Sequence, residues 1–390
     1  MREVYMDHGA TAPIRPEVVE AMLPYLREHF GNPLSLHGYG EEPRQAIEAA
    51  REKVAALIGA QPNEIYFTAN GSEANNMAVK GIATMARTKG KGNHIVVSAI
   101  EHQSVLYSAE TMGKLGFEVT PVPVDRYGLV DPQAVANALR DDTALVSVML
   151  ANSEIGTIEP VAEIAKLVKA RGIPFHTDAV AAVGRIPVNV GELGVDVLSL
   201  AGSQFYGPKG SGALYIRRGT RILPLIDGGI QEGGRRAGLE DVPAIVGLGV
   251  AAELAAAEMK KRAAQLLPLR DRLIERLTTE IPRVYLTGHP TQRLPYHVSV
   301  TVEYIEGESM LLFLSMQGIA VSSGSTCTSR ALKASHVLTA IGVEAALAQG
   351  SLVFTMGEGN SMEDVDYVMG LLPGIIDRLR QMSPLYKPGQ

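Results

Sequence analysis

The 390-residue chain is predicted to be an α/β protein, with a mostly parallel sheet between helices followed by a smaller α+β region. Three observations predict it. Short apolar or β-branched runs alternate with helical patterns through the first part of the chain, as they do in a parallel sheet covered on both faces. After residue 244 this gives way to one long Ala/Leu/Glu-rich stretch and then to a mixture of strands and helices. The length exceeds what a single simple core usually organises, so two domains are expected.

Taken in order, residues 16–30 and 43–59 carry apolar side chains at three- and four-residue spacing. Ile47, Ala50, Val54, Leu57 and Ile58 make one face of an amphipathic helix. Strand-like runs follow at 64–69, 94–100, 144–150, 173–179, 195–201 and 212–217, with helical patterns such as 161–171 between most of them. A helical stretch covers 244–277 and is expected to be interrupted by Pro268. Strands at 284–287 and 297–303, a helix at 308–317 and a last helix at 362–380 complete the second region. No repeat or low-complexity segment interrupts the pattern.

Composition excludes several classes. Hydrophobic content of 46% and charged content of 20% are those of an ordinary globular protein. The formal net charge is −6 with no basic block, which argues against a nucleic-acid partner. The longest weakly polar run, 244–257, is short and broken by Glu253, which argues against a membrane span. The first residues, MREVYMDHGATA, lack an apolar signal core, so a cytoplasmic location is expected. The single cysteine, Cys327, excludes an intrachain disulfide, and the nine scattered histidines offer no ligand-like pairing, so no self-contained metal site is expected.

Eight segments carry the chemistry: YMDHGATAP (5–13), FGNPLSLHGYG (30–40), FTANGSEANNMA (67–78), EHQSVL (101–106), ANSEIGTIEPV (151–161), FHTDAVAAVGRIPV (175–188), GGIQEGGRRAGLEDV (228–242) and SSGSTCTSRALKASHVL (322–338). With LSLAGSQFYGPKGSGALY (198–215), they resemble, in order and nearly end to end, the signatures of the cysteine desulfurases. These are NifS/IscS-type, class V members of the fold-type-I enzymes that use pyridoxal phosphate. The resemblance implies a large domain (16–257) with a seven-stranded, mostly parallel sheet. It also implies a small α+β domain made of 1–15 and 258–390, carrying the Cys327 loop, and a homodimer.

The resemblance also assigns residues. Gly71 and Ser72 follow a strand and open a helix, where backbone N–H groups and a hydroxyl suit a phosphate; a plain helix N-cap fits the same residues. His102 matches the imidazole that stacks on the cofactor ring. Asp178 matches the carboxylate that pairs with the pyridine nitrogen. Against these stand losses. Gln204 occupies the position of the Schiff-base lysine, and an amide can act neither as that nucleophile nor as its proton shuttle. Ser203 replaces the adjacent histidine, Ala201 and Leu239 replace phosphate-binding hydroxyls, Ser153 replaces an asparagine and Ala181 a glutamine. Each lost charge-assisted hydrogen bond removes about 1.5–3 kcal/mol. Glu358 stands where an arginine grips the substrate carboxylate, so repulsion of about 4 kcal/mol is expected at 4 Å and an effective dielectric of 20. Lys209 matches a second lysine of the family that accompanies the catalytic one.

Cys327 sits where the family carries its persulfide-forming cysteine, in a polar loop with Arg330 nearby; an exposed cysteine without function fits the residue alone. The expected function is sulfur transfer or iron–sulfur cluster assembly through Cys327, as persulfide site or as a cluster ligand shared with a scaffold or sulfur-acceptor protein. Classical pyridoxal-phosphate-dependent desulfurase turnover is expected to be lost or very weak, with the cofactor bound non-covalently, weakly or not at all. The alternatives are an active desulfurase of non-standard chemistry, turning L-cysteine into L-alanine plus persulfide, and a pocket repurposed for binding or regulation.

Overall fold

The computed structural model describes residues 2–324 and 334–387. Cys327 and Arg330 lie outside the described residues.

Twelve strands are present among the described residues: β1 (Val4–Tyr5), β2 (Ile65–Thr68), β3 (His94–Ser98), β4 (Glu118–Val122), β5 (Thr143–Ser147), β6 (Phe175–Asp178), β7 (Val197–Ala201), β8 (Gly212–Ile216), β9 (Val284–Leu286), β10 (His297–Val302), β11 (Ile319–Ala320) and β12 (Ser351–Thr355). Seven form one sheet in the order β2-β8-β7-β6-β5-β3-β4. Neighbours pair in parallel from β4 to β7, while β8 is antiparallel to both β7 and β2. Strands β3, β5, β6, β7 and β8 are buried at every position, which explains why they read as continuous apolar runs. The seventh strand, β4, was not visible in the sequence. It lies at the sheet edge, is exposed or half-buried at four of its five residues and contains Pro121, which an edge strand tolerates.

A second sheet, in the order β12-β10-β9, is antiparallel. Strand β1 pairs in parallel with β11, so the start of the chain packs with its C-terminal part. The helix Val242–Glu280 joins the two regions and packs against the helices Pro16–Arg27 and Gly38–Ile58. It runs unbroken through Pro268, contrary to expectation: Leu266, Leu269 and Leu273, on either side of the proline, are buried and hold the helix together. This helix is also long and apolar enough to cross a membrane by length and composition, but more than half of that window is buried within the protein.

Candidate active site

Strands β2, β3, β5, β6 and β7 all end at one edge of the large sheet, and the loops that follow them enclose a cavity of about 380 Å³. Ligands of open α/β sheets bind at this carboxyl edge, and the size suits a small-molecule site.

Each loop delivers a named group. After β2, Asn70 caps the helix Gly71–Thr88 by accepting from Glu73 N, which leaves Gly71 and Ser72 at the cavity wall. Only glycine fits at 71, because a Cβ there would come within 2.6 Å of Val180 Cγ2. After β3, His102 opens the helix Gln103–Lys114; its Nδ1 accepts from Ser104 N at 3.2 Å and lies 2.7 Å from Ser104 Oγ, which assigns the ring proton to Nε2. At the end of β6, the buried Asp178 accepts from Asn75 Nδ2 (2.6 Å) and from Val180 N (2.9 Å). Asn75 also donates to Ser104 Oγ at 2.9 Å. Asp178, Asn75, Ser104 and His102 therefore form one chain of hydrogen bonds along the cavity, linking two of the residues singled out from the sequence.

Gln204 and Ser203 also line the cavity, in the turn after β7. The Gln204 side chain is turned to the N-terminal segment, where its Nε2 donates to Gly9 O at 3.0 Å. Arg185 Nε donates to Gln204 O (2.6 Å) and Arg185 Nη2 to His8 O (3.1 Å), while Ala12 N donates to Ser203 O (2.9 Å). The turn at 203–204 thus clasps residues 8–12. Ala201, Ser153 and Ala181 face the cavity as well, whereas Leu239 is exposed in a separate recess.

Glu358 is not part of this cavity, and the expected bare negative charge is corrected. It lies in an adjacent recess with Lys209, where Arg15 Nη1 reaches both its oxygens at 2.7 and 2.6 Å. Its backbone N–H donates to Tyr206 Oη at 2.7 Å. Arg15 pairs with this charge while also holding Glu17 and Glu258, and Glu358 lies outside the cavity, so the bare-pair repulsion at 4 Å does not describe its effect on a ligand there. Lys209 faces the same recess and not the cavity.

Two carboxyls and a histidine of the cavity escaped the sequence reading. Glu101 is fully buried: its Oε1 accepts from Ser98 Oγ (2.5 Å) and Met149 N (2.7 Å), and its Oε2 has no partner. Burial, with Asp178 adding repulsion, holds this carboxyl well above the usual carboxylate range. Glu154 accepts from Ser335 Oγ, and burial raises its pKa to about 7. Both were visible only as acidic letters in EHQSVL and ANSEIGT. His336 also lines the wall, its Nε2 on Glu101 O at 3.0 Å and its pKa lowered by burial. No lysine or arginine is among the described residues lining the cavity. Gly324 and His336, which flank segment 325–333, both face it.

A sheet of this topology, with an acid at the end of β6 and a helix N-terminus opposite, defines the class: the aminotransferase class-V family model matches residues 4–368, and the chain belongs to that family. Within it, the chain is a member of the cysteine desulfurases. The proteins named cysteine desulfurase IscS from Methanosarcina thermophila and Dictyoglomus turgidum are 55% and 54% identical over 98% of this chain, covering 94% and 97% of their own. The solved structure of a NifS-like protein matches with a TM-score of 0.90 at 37% identity, over 97% of this chain and 100% of that one.

The family implies pyridoxal phosphate. Asp178, braced by Asn75, suits a protonated ring nitrogen, His102 faces the cavity, and the close-packed Gly71 leaves backbone at the wall for a phosphate. These residues fit the group as a non-covalent guest. They do not fit it as a Schiff base, because the wall supplies no primary amine among its described residues.

Proposed function

We propose that the protein handles sulfur through Cys327, as a persulfide carrier or as a cluster ligand shared with an iron–sulfur scaffold, and that lysine-dependent turnover of free cysteine is lost or very weak. The observation that carries this is the cavity wall, where Gln204 is committed to Gly9 O and no described lining residue is a lysine or arginine. Pyridoxal phosphate, when bound, supplies an electron sink. Asp178 would then orient the ring, and His102 would hold the proton it carries at Nε2. Cys327 is three residues beyond Gly324 in the sequence, and Gly324 lines the same cavity.

The unbroken Asp178–Asn75–Ser104–His102 chain favours a second reading, an active desulfurase that holds its cofactor without a covalent link. A homodimer accords with the exposed Phe30, Leu36, Tyr39, Ile230 and Leu239, an apolar set that a lone protomer would leave in water. A reducing compartment such as the cytoplasm suits a lone thiol.

The test is titration of purified protein with pyridoxal phosphate, followed by absorbance, borohydride trapping and assay for alanine from cysteine. No covalent trapping and no alanine are expected, together with transfer of radiolabelled persulfide sulfur to or from Cys327. Robust alanine production would refute the first reading and establish the second.

A further inference from the structure

We propose that Ser104 is a positioning residue for His102: its hydroxyl, held by Asn75, fixes the imidazole proton on Nε2, so that His102 meets a ligand of the cavity as a hydrogen-bond donor. The inference deepens the reading of the cavity as a cofactor seat and rests on it for its consequence alone. The place of the proton follows from the protein's own residues and is tested without cofactor.

The direction of the chain of hydrogen bonds is set at Asp178. Its two oxygens are both occupied, Oδ1 by Val180 N at 2.9 Å and Oδ2 by Asn75 Nδ2 at 2.6 Å. Asn75 is buried on the helix Gly71–Thr88. Turned over, its amide would set a carbonyl oxygen against the carboxylate, acceptor to acceptor. The NH2 group therefore faces Asp178, even though Asn75 Oδ1 is then buried without a partner among the described residues. The second proton of the same nitrogen goes to Ser104 Oγ at 2.9 Å.

Ser104 stands in the first turn of the helix Gln103–Lys114. Its hydroxyl accepts from Asn75 and has one proton left to give, and His102 Nδ1 lies 2.7 Å away. Ser104 N donates to the same ring nitrogen at 3.2 Å. A proton on Nδ1 would meet that N–H donor to donor, so the neutral ring carries its proton on Nε2. The backbone under the ring is fixed as well, because His102 O accepts from Val105 N (2.8 Å) and Leu106 N (3.2 Å). With Nδ1 taken up at the helix start, the edge of the ring that holds Nε2 is the one left for the cavity that His102 lines. Such a ring gives a hydrogen bond at Nε2, and it cannot take a proton from a ligand at that atom while Ser104 occupies Nδ1.

Diethyl pyrocarbonate acylates a neutral imidazole at the nitrogen that carries the lone pair, so its rate at Nε2 follows the share of rings with the proton on Nδ1. Carbethoxylation of His102 is followed by peptide mass spectrometry at pH 7.5 in full-length, cofactor-free wild type, Ser104→Ala and Ser104→Thr. Each protein is checked for a native melt, and an added histidine peptide serves as the reference. Wild type is expected to react more slowly than the peptide, Ser104→Ala at least threefold faster than wild type, and Ser104→Thr within a factor of two of wild type. Equal rates in wild type and Ser104→Ala overturn the proposal. So does a Ser104→Thr protein that reacts like Ser104→Ala, since the effect would then come from packing and not from the hydroxyl. If Ser104→Ala does not fold, nitrogen magnetic resonance of histidine-labelled wild type decides. The signals lost in His102→Gln are expected to show a protonated Nε2 and a bare Nδ1, and a protonated Nδ1 overturns the proposal. Neither measurement uses pyridoxal phosphate or a sulfur donor, so failure of the proposed function and failure of this positioning role are separate results.

Discussion

Replacing Gln204 with lysine asks whether the cavity lacks only an amine. The structural cost is worked from what the side chain holds. Gln204 Nε2 makes one neutral hydrogen bond, to Gly9 O, whose loss costs about 0.5–1.5 kcal/mol. The N-terminal segment keeps its other anchors: Gly9 N on Thr355 Oγ1 (2.7 Å), Arg185 on His8 O (3.1 Å) and Ala12 N on Ser203 O (2.9 Å). The melting temperature is therefore expected to fall by no more than about 2 °C. The new amine would enter a wall that already holds Asp178, Glu101 and Glu154, which accommodates a cation. Wild type and Gln204→Lys are each incubated with pyridoxal phosphate, reduced with borohydride and digested. A reducible adduct mapped to position 204 is expected in the variant and none in the wild-type cavity. Failure of the folded variant to form it would refute the inference that Asp178, Asn75 and the Gly71 turn still make a cofactor seat. An adduct on Lys209 of the wild type would refute the placement of that lysine outside the cavity.

Other expectations concern stability and the ring-binding acid. Glu159 accepts from Val130 N at 2.8 Å with its other oxygen buried and unpartnered, and burial raises its pKa to about 8. A raised acid contributes stability that is complete below its unfolded value, near 4.5, and is lost as pH rises through about 8; urea unfolding should show wild type losing several kcal/mol over that window and Glu159→Gln losing less, and parallel curves would refute it. Glu232 takes both Arg51 Nη groups at 2.8 Å and Phe67 N at 2.7 Å, so Glu232→Ala leaves the Arg51 guanidinium with only Glu48 and Ile65 O and should cost about 1.5–3 kcal/mol by denaturant titration; a loss below about 0.5 kcal/mol would contradict this. Asp178→Asn can accept from only one of Asn75 Nδ2 and Val180 N through its single carbonyl oxygen, and non-covalent pyridoxal phosphate binding should weaken at least tenfold by fluorescence titration, whereas unchanged affinity would place the ring elsewhere.

The large sheet was legible because its inner strands are buried on both faces, so burial wrote itself into the letters as unbroken apolar runs. Strand β4, EVTPV, was not, since an edge strand with a single buried residue and a proline carries no such run. Strand β12, SLVFT, is buried throughout, but its five residues stand alone between two glycine-bearing turns and gave no periodicity to read. Pro268 misled in the opposite direction: local propensity argued for a break, and the buried leucines around it decided otherwise.

The site divides along the same physical line. What a residue is can be read from the sequence, and the exchange at 204 was plain there. What a residue touches depends on partners that local pattern cannot locate. Gln204 meets Gly9, far away in sequence, and Glu358 meets Arg15 from the opposite end of the chain. The consequence runs opposite ways for the two. Glu358, alarming as a letter, lies outside the cavity and is paired with a guanidinium that the fold brings to it. Glu154, unremarked as a letter, acquires a perturbed ionisation because the fold buries it against Ser335. Gln204 therefore shows that position 204 offers the cavity an amide and no amine, while the enclosed carboxyls show where it still stores protons. Any function assigned to this chain has to be built on that second inventory as much as on the first.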